Sequence, residues 1–144
     1  MALFNEEEQE RVVHAINVAE NLTSGEIRVV VENVVGQDTT AFDKAKSYFE
    51  KLNMHKTVQR NGVLIYLAIA DHQFAIIGDA GINKVVPDNF WEITKDKMLF
   101  HFRQGNYVRG LVEGIQEAGE QLRQYFPRQD DDINELPNDI HFGN

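Results

Sequence analysis

Residues 62–88 read GVLIYLAIADHQFAIIGDAGINKVVPD. The apolar run at 63–70 predicts a buried strand. Only Asp71 and His72 separate it from a second apolar run at 73–77. A two-residue break between two strands is typical of a tight hairpin, so we expect the second of these strands to run antiparallel to the first.

The segments before the hairpin predict a strand and a helix. Glu26 to Asn33 is enriched in β-branched residues, and a helix that begins at Thr40 carries apolar residues at helical spacing as far as Leu52. A strand, a helix and a further strand at this length form a βαβ unit. We therefore expect its two strands to be parallel and joined by a right-handed crossover.

Helical patterns occupy the two ends of the domain. Asn5 and Glu8 have the spacing of a capping box, at the start of a helix that runs to about Glu20. Asp88 is an N-cap candidate for a third helix, and the last helix follows Asn106. The sequence therefore predicts one α/β domain at residues 1–126.

Residues 127–144 differ from the domain in composition. They contain five acidic residues against one arginine, which gives this segment a charge of −4 out of a total of −9. The pattern predicts an acidic, flexible C-terminal tail, with Ile140 and Phe142 as the residues that hold it to the domain.

Composition narrows the function classes. The remaining acidic charge on the domain repels phosphate backbones, so we expect no nucleic-acid partner. The absence of cysteine excludes disulfides, thiolate metal sites and cysteine nucleophiles. No export signal and no apolar run of membrane-spanning length is present, which predicts a cytoplasmic protein that does not enter a membrane. We expect a monomer whose partners are a metal ion and, in one alternative, another protein.

The hairpin brings several oxygen ligands to one edge of the predicted sheet. Because the third strand runs backwards, Asp79 emerges where the first strand begins, beside Glu26, and the loop that ends at Asp88 folds back there with Asn83. Carboxylates, an amide and glycine-freed carbonyls suit calcium, with magnesium or manganese as lesser candidates. The alternative is structural: Asp79 satisfies its own turn, Asp88 caps a helix and Glu26 pairs with a lysine or arginine.

The opposite edge of the sheet is a second candidate site. It holds polar residues from the turns that follow the two parallel strands, and ligands of open α/β sheets usually bind beyond the carboxyl ends of such strands. These turns need polar residues in any case, so the cluster also has a purely structural explanation. Its members are Glu32, Asn33, Asp38, Asp71 and His72.

Known catalytic motifs are absent from the sequence. The five histidines show no metal-ligand spacing, and there is neither a phosphate-binding Gly-rich loop nor a nucleophile elbow. Phosphoryl chemistry in this chain therefore has to use a bound metal ion that activates water.

Five short motifs, in this order, resemble the TPM domain family: TSGEI at 23–27, NGVLI at 61–65, GDAGI at 78–82, PD at 87–88 and FRQGNY at 102–107. The resemblance spans residues 5–126. It implies a three-layer α/β sandwich, with helices on both sides of a central mixed sheet. Some family members have acid phosphatase activity and others bind calcium through loop acids. Carried over to this chain, the resemblance implies functional roles for Asp79, Asp88 and Glu26.

Three functions are consistent with these patterns. The first is a small TPM domain that binds a divalent cation, with calcium preferred, through Asp79, Asp88, Glu26 and Asn83. The second is a metal-dependent, acid-phosphatase-like hydrolase of phosphomonoesters that uses the same acids. The third is a structural adaptor that binds a protein partner. The absence of a recognisable nucleophile or general base favours the first.

Overall fold

A computed structural model describes residues 3–129 and 135–143. Five α-helices and four strands lie in these ranges, together with a short 3-10 helix at Met54–Lys56. In chain order the elements are α1 (Glu6–Glu20), β1 (Glu26–Glu32), α2 (Ala41–Lys51), β2 (Gly62–Ala68), β3 (Gln73–Gly78), α3 (Ala80–Asn83), α4 (Glu92–Phe102), α5 (Tyr107–Arg123) and β4 (His141–Phe142).

The strands form one mixed sheet in the order β3-β2-β1-β4. β1 and β2 are parallel, with Glu26 opposite Gly62 at one end and Glu32 opposite Ala68 at the other. β2 and β3 form the antiparallel hairpin that the two-residue break predicts. The α/β class, the βαβ unit and the hairpin expected from the sequence are thus confirmed.

β1 and β2 are buried along their full length, because helices cover both faces of the sheet. Alternate residues such as Ile27, Val29 and Val31 pack with α1, α4 and α5 in the larger core. Val30 and Tyr66 point to the other face and pack with α2 in a second core. This arrangement is the three-layer sandwich that the family resemblance implies.

The helix boundaries differ from expectation at two places. The capping box at Asn5 and Glu8 is present. Asp88, however, does not cap a helix: Pro87 starts a turn closed by the bond from Phe90 N to Pro87 O (3.1 Å), so α4 begins one turn later, with Trp91 at its N-cap. The loop expected after Asp79 instead contains the short helix α3.

The C-terminal segment contributes an element that the sequence pattern did not predict. β4 pairs in parallel with β1, Gly143 N donates to Val31 O (3.0 Å), and the ring of Phe142 meets Phe4 edge-on. Ile140 is buried against the larger core, so both residues expected to hold the tail do contact the domain. The rest of the predicted flexible tail falls partly on residues 130–134 and 144, outside the described residues.

Within the two described ranges, none of the helices combines the length and the apolar character needed to cross a membrane.

Candidate functional site

Asp79 lies at the amino-terminal edge of the sheet, as the hairpin predicts, and its carboxylate is fully engaged. Arg60 Nε donates to Oδ2 (2.7 Å) and Arg60 Nη2 donates to Oδ1 (2.8 Å), while Ala80 N also donates to Oδ1 (2.7 Å). The side chain of Asp79 is 5% exposed. Hydrogen bonding to Asp79 raises the pKa of Arg60. A cation that bound Asp79 would therefore compete with a bidentate guanidinium for both oxygens.

Glu26 is buried on β1 and accepts a hydrogen bond from Leu136 N (2.6 Å), so it holds the C-terminal segment. Burial raises the pKa of this carboxyl to about 7, against the effect of backbone hydrogen bonds from Leu136 and Glu135. Glu20, at the end of α1, is also buried and accepts from Ile27 N (2.9 Å). Its pKa also rises to about 7, first through burial and then through the charge of Glu26. The sequence pattern does not single out Glu20, because helical spacing gives no sign that this side chain accepts a hydrogen bond from Ile27 N.

The remaining predicted ligands have separate surroundings. Asp88 is exposed, and Asn83 donates from its side chain to Gly78 O (3.2 Å). Asp79 and Asn83 line one cavity, whose lining includes neither Glu26 nor Asp88. Among residues 3–129 and 135–143, no group of three or more histidine or acidic side chains is placed to hold a metal ion. The calcium site at these four residues stays a prediction.

The carboxyl-terminal edge of the sheet joins the loops that follow β1 and β2. Asp71 Oδ2 accepts from Val35 N (2.6 Å), which ties the β2–β3 turn to the β1–α2 loop. Ala70 N donates to Asn33 O (2.8 Å) and strengthens the same connection. Asp38 and His72 have φ angles of 57° and 55°, so the backbone is left-handed in both loops. The exposed carboxylates of Asp71 and Asp38 therefore lie on adjoining loops.

A cavity of about 470 Å³ opens beside His72 at this edge. The hydroxyl of Tyr107 is 3.1 Å from His72 Nδ1, and Arg103 also lines the cavity. Apolar side chains form most of the remaining wall: Leu67, Phe74, Leu99 and Phe102. Arg103 and Tyr107 belong to the FRQGNY motif of the family resemblance, which therefore lies next to the Asp71-His72 turn.

Glu32 belongs to the predicted carboxyl-edge cluster but is fully committed to the fold. Its carboxylate accepts from Tyr48 (2.7 Å) and Tyr66 (2.6 Å), and Lys44 Nζ is 3.3 Å away. Burial alone would raise the pKa of Glu32, but these hydrogen bonds outweigh it and lower the pKa below its usual value. A Cβ added at Gly143 would overlap the Glu32 carboxylate, so the C-terminal segment closes this site.

The fold and the motif at its carboxyl edge define a TPM-type α/β domain. A model of the TPM domain matches residues 1–121, and the chain belongs to this family. A solved relative is similar over nearly the whole chain: the BA42 protein of the psychrophilic bacterium Bizionia argentinensis, whose solution structure superposes with a TM-score of 0.92. The two sequences are 48% identical, and the match covers 99% of this chain and 97% of BA42.

Two more distant structures share the fold. The N-terminal domain of a protein from P. gingivalis has a TM-score of 0.69 at 23% identity, and the match covers 87% of this chain and 80% of that domain. The N-terminal domain of the cg2496 protein from Corynebacterium glutamicum has a TM-score of 0.66 at 10% identity, and the match covers 96% of this chain and 80% of that domain. Among curated proteins, none is significantly similar to the chain.

Proposed function

We propose that this TPM domain is a phosphomonoester hydrolase that works with a divalent cation at the carboxyl-terminal edge of the sheet. The observation that carries this proposal is the cavity in which His72, Tyr107 and Arg103 meet, at the same edge of the sheet as Asp71. Its apolar wall accommodates the organic part of an ester, and a guanidinium fork matches the oxygens of a phosphate group.

His72 supplies the acid–base group that the sequence motifs did not reveal. The general acid is the imidazolium form of His72, in which Nδ1–H donates to the Tyr107 hydroxyl oxygen and Nε2–H is free to be transferred. In the proposed reaction a water molecule attacks phosphorus, the ester P–O bond breaks, and His72 Nε2 gives its proton to the departing alcohol oxygen, which leaves a neutral imidazole. Both protons of the attacking water stay on the phosphate product, one of them then returns to His72, and Arg103 binds the phosphate oxygens. A bound divalent cation supplies charge neutralisation and an activated water.

Asp71 and Asp38 fit the cation better than Asp79 does. Asp71 uses Oδ2 to accept from Val35 N, and no hydrogen bond in the described structure engages its Oδ1. Asp38 is exposed on the adjoining loop. At Asp79, by contrast, Arg60 already neutralises the carboxylate. Hard carboxylate oxygens suit calcium and magnesium alike, so we propose calcium or magnesium at the carboxyl edge.

Hydrolysis of p-nitrophenyl phosphate tests the proposal. We expect activity with magnesium or calcium and loss of it with chelator. His72→Gln is expected to lower kcat/KM about 100-fold, the lower bound for a general acid, while the exposed control His14→Gln keeps full activity. Activity that persists with chelator, or that is equal in the two histidine variants, would contradict the proposed site.

A calcium-binding domain without catalysis is the second candidate, supported by the exposed carboxylates of Asp71 and Asp38 on joined loops. Thermal unfolding distinguishes a calcium site at Asp71 and Asp38 from one in the loop at residues 79–88. Calcium at 100 times its Kd adds about 2.7 kcal/mol of stability. We expect Asp71→Asn to reduce this effect and Asp88→Asn to leave it unchanged. The opposite result would assign calcium to the loop at residues 79–88.

A further inference from the structure

The amino-terminal edge of the sheet holds a second cavity, of about 410 Å³, that the proposed reaction does not use. The two ends of β2 are about 20 Å apart, at about 3.3 Å per residue, so one small ligand does not span both sites. α2 and the turn around α3 form the walls. The lining includes Lys46, His55, Arg60 and Asp79, with Phe49 and Ile77 as apolar surface.

The backbone fixes Arg60 in this cavity at a conformational cost. Its φ angle is 51°, a left-handed value that is unfavourable for a residue other than glycine. Gly81 N donates to Arg60 O (2.8 Å), and a Cβ at Gly81 would overlap the carbonyl oxygens of Gln59 and Arg60. The bidentate contact with Asp79 then sets the plane of the guanidinium. Strain that the surrounding structure enforces is typical of ligand-binding positions.

The fixed guanidinium still has donors to offer. Nε and one N–H of Nη2 point to Asp79, and no described residue accepts from Nη1. Lys46 has no carboxylate within ion-pair distance among the described residues, and its ammonium lies 5.4 Å from the Phe42 ring centroid. His55 Nδ1 is buried and has no hydrogen-bond partner in the described structure. Glu50, on the rim, is the one lining acid besides Asp79 and opposes anion binding.

We propose that this cavity binds a small phosphorylated molecule, with the phosphate on Arg60 and Lys46 and an apolar group against Phe49 and Ile77. Asp79 then acts through Arg60, by orienting the guanidinium, and is not a cation ligand. Planar forked donors bind phosphate oxygens in pairs, and an adjoining lysine adds a compact charge. This binding site is separate from the proposed hydrolytic site and does not depend on it.

Phenylphosphonate is a suitable probe, because its P–C bond resists phosphatases and its ring models the apolar group. We expect saturable amide shifts at residues 77–83 in NMR spectra, with a Kd on the order of millimolar for so small a ligand. Lys46→Gln is expected to weaken binding about three- to tenfold. Lys95→Gln on α4 makes the same change of charge away from the cavity and leaves the Kd unchanged.

Arg60→Gln provides the stronger test, with loss of the saturable shifts while the remaining spectrum stays native. Sodium chloride at matched ionic strength is the control for general screening. Shifts confined to residues around His72 would overturn the proposal, as would equal Kd values for the two lysine variants. Calcium-induced shifts at 77–83 without a response to phenylphosphonate would instead make the cavity a cation site and overturn it as well.

Discussion

Glu32→Ala is expected to destabilise the domain by about 3–5 kcal/mol, the cost of breaking a buried, charge-paired network. The substitution removes the acceptor for the Tyr48 and Tyr66 hydroxyls and leaves Lys44 without this carboxylate. Burial and then the hydrogen bond to Glu32 raise the pKa of Tyr48 to about 12, so the Tyr48 hydroxyl keeps its proton and needs an acceptor. Urea unfolding at pH 7 measures the change directly.

Two variants show whether this loss of stability comes from the hydrogen-bond network of Glu32 or from the removal of any glutamate side chain. Glu32→Gln retains one carbonyl oxygen as acceptor, so we expect a smaller loss, about 1–2 kcal/mol. Glu10→Ala, on the exposed side of α1, is expected to change stability by less than about 0.5 kcal/mol. If Glu32→Ala costs no more than Glu10→Ala, the Glu32 network does not stabilise the fold.

Local patterns were sufficient for most of the architecture. The two-residue break at Asp71 and His72 predicted the hairpin, and the hairpin predicted correctly that Asp79 lies at the edge where β1 begins. β4 could not be found in this way, because two paired residues carry no periodicity. Its position depends on contacts with β1 from a segment more than 100 residues away in sequence.

Sequence patterns do not reveal the partners of a candidate site residue when those partners are distant in sequence. Nothing local to GDAGI indicates that Arg60 neutralises Asp79, since the two residues are 19 positions apart. Nor does the spacing of Asp71-His72 indicate Tyr107, which lies 35 positions away and reaches His72 through the start of α5. The sequence pattern predicted the edge of the sheet at which these acids lie, but contacts with residues distant in sequence determine which carboxylates are already paired within the fold.

The two edges offer different charges to a ligand. At the amino-terminal edge, Arg60 and Lys46 leave donors for an anion, while Asp79 is paired with Arg60. At the carboxyl-terminal edge, Asp71 and Asp38 are exposed acids, and Arg103 lines the cavity beside His72. We therefore expect an anion alone at the first edge and a cation together with a phosphate ester at the second, and separate variants at each edge test them independently.

Stability is expected to fall as pH rises from about 5 to 8, because Glu20 and Glu26 are buried acids whose pKa values rise to about 7. In the unfolded chain a glutamate titrates near 4.5. Between these values the folded state holds more protons than the unfolded state, so the free energy of unfolding decreases with pH until both acids are ionised. One such group accounts for about 3 kcal/mol at most, and the two are coupled through their charges.

Replacement of either acid by glutamine removes its titration and isolates the effect. We expect Glu20→Gln and Glu26→Gln to exceed the parent protein in stability by about 1–3 kcal/mol at pH 8 and to match it near pH 5. Glu32 does not interfere, since its lowered pKa makes its contribution complete above 4.5 and confines the loss to more acidic pH. Urea unfolding at pH 5, 6, 7 and 8 supplies the comparison, with Glu10→Gln as the exposed control. A stability that is flat or rises with pH over this range would show that Leu136 N and Ile27 N hold both carboxylates ionised, because only hydrogen bonds of that strength offset their burial.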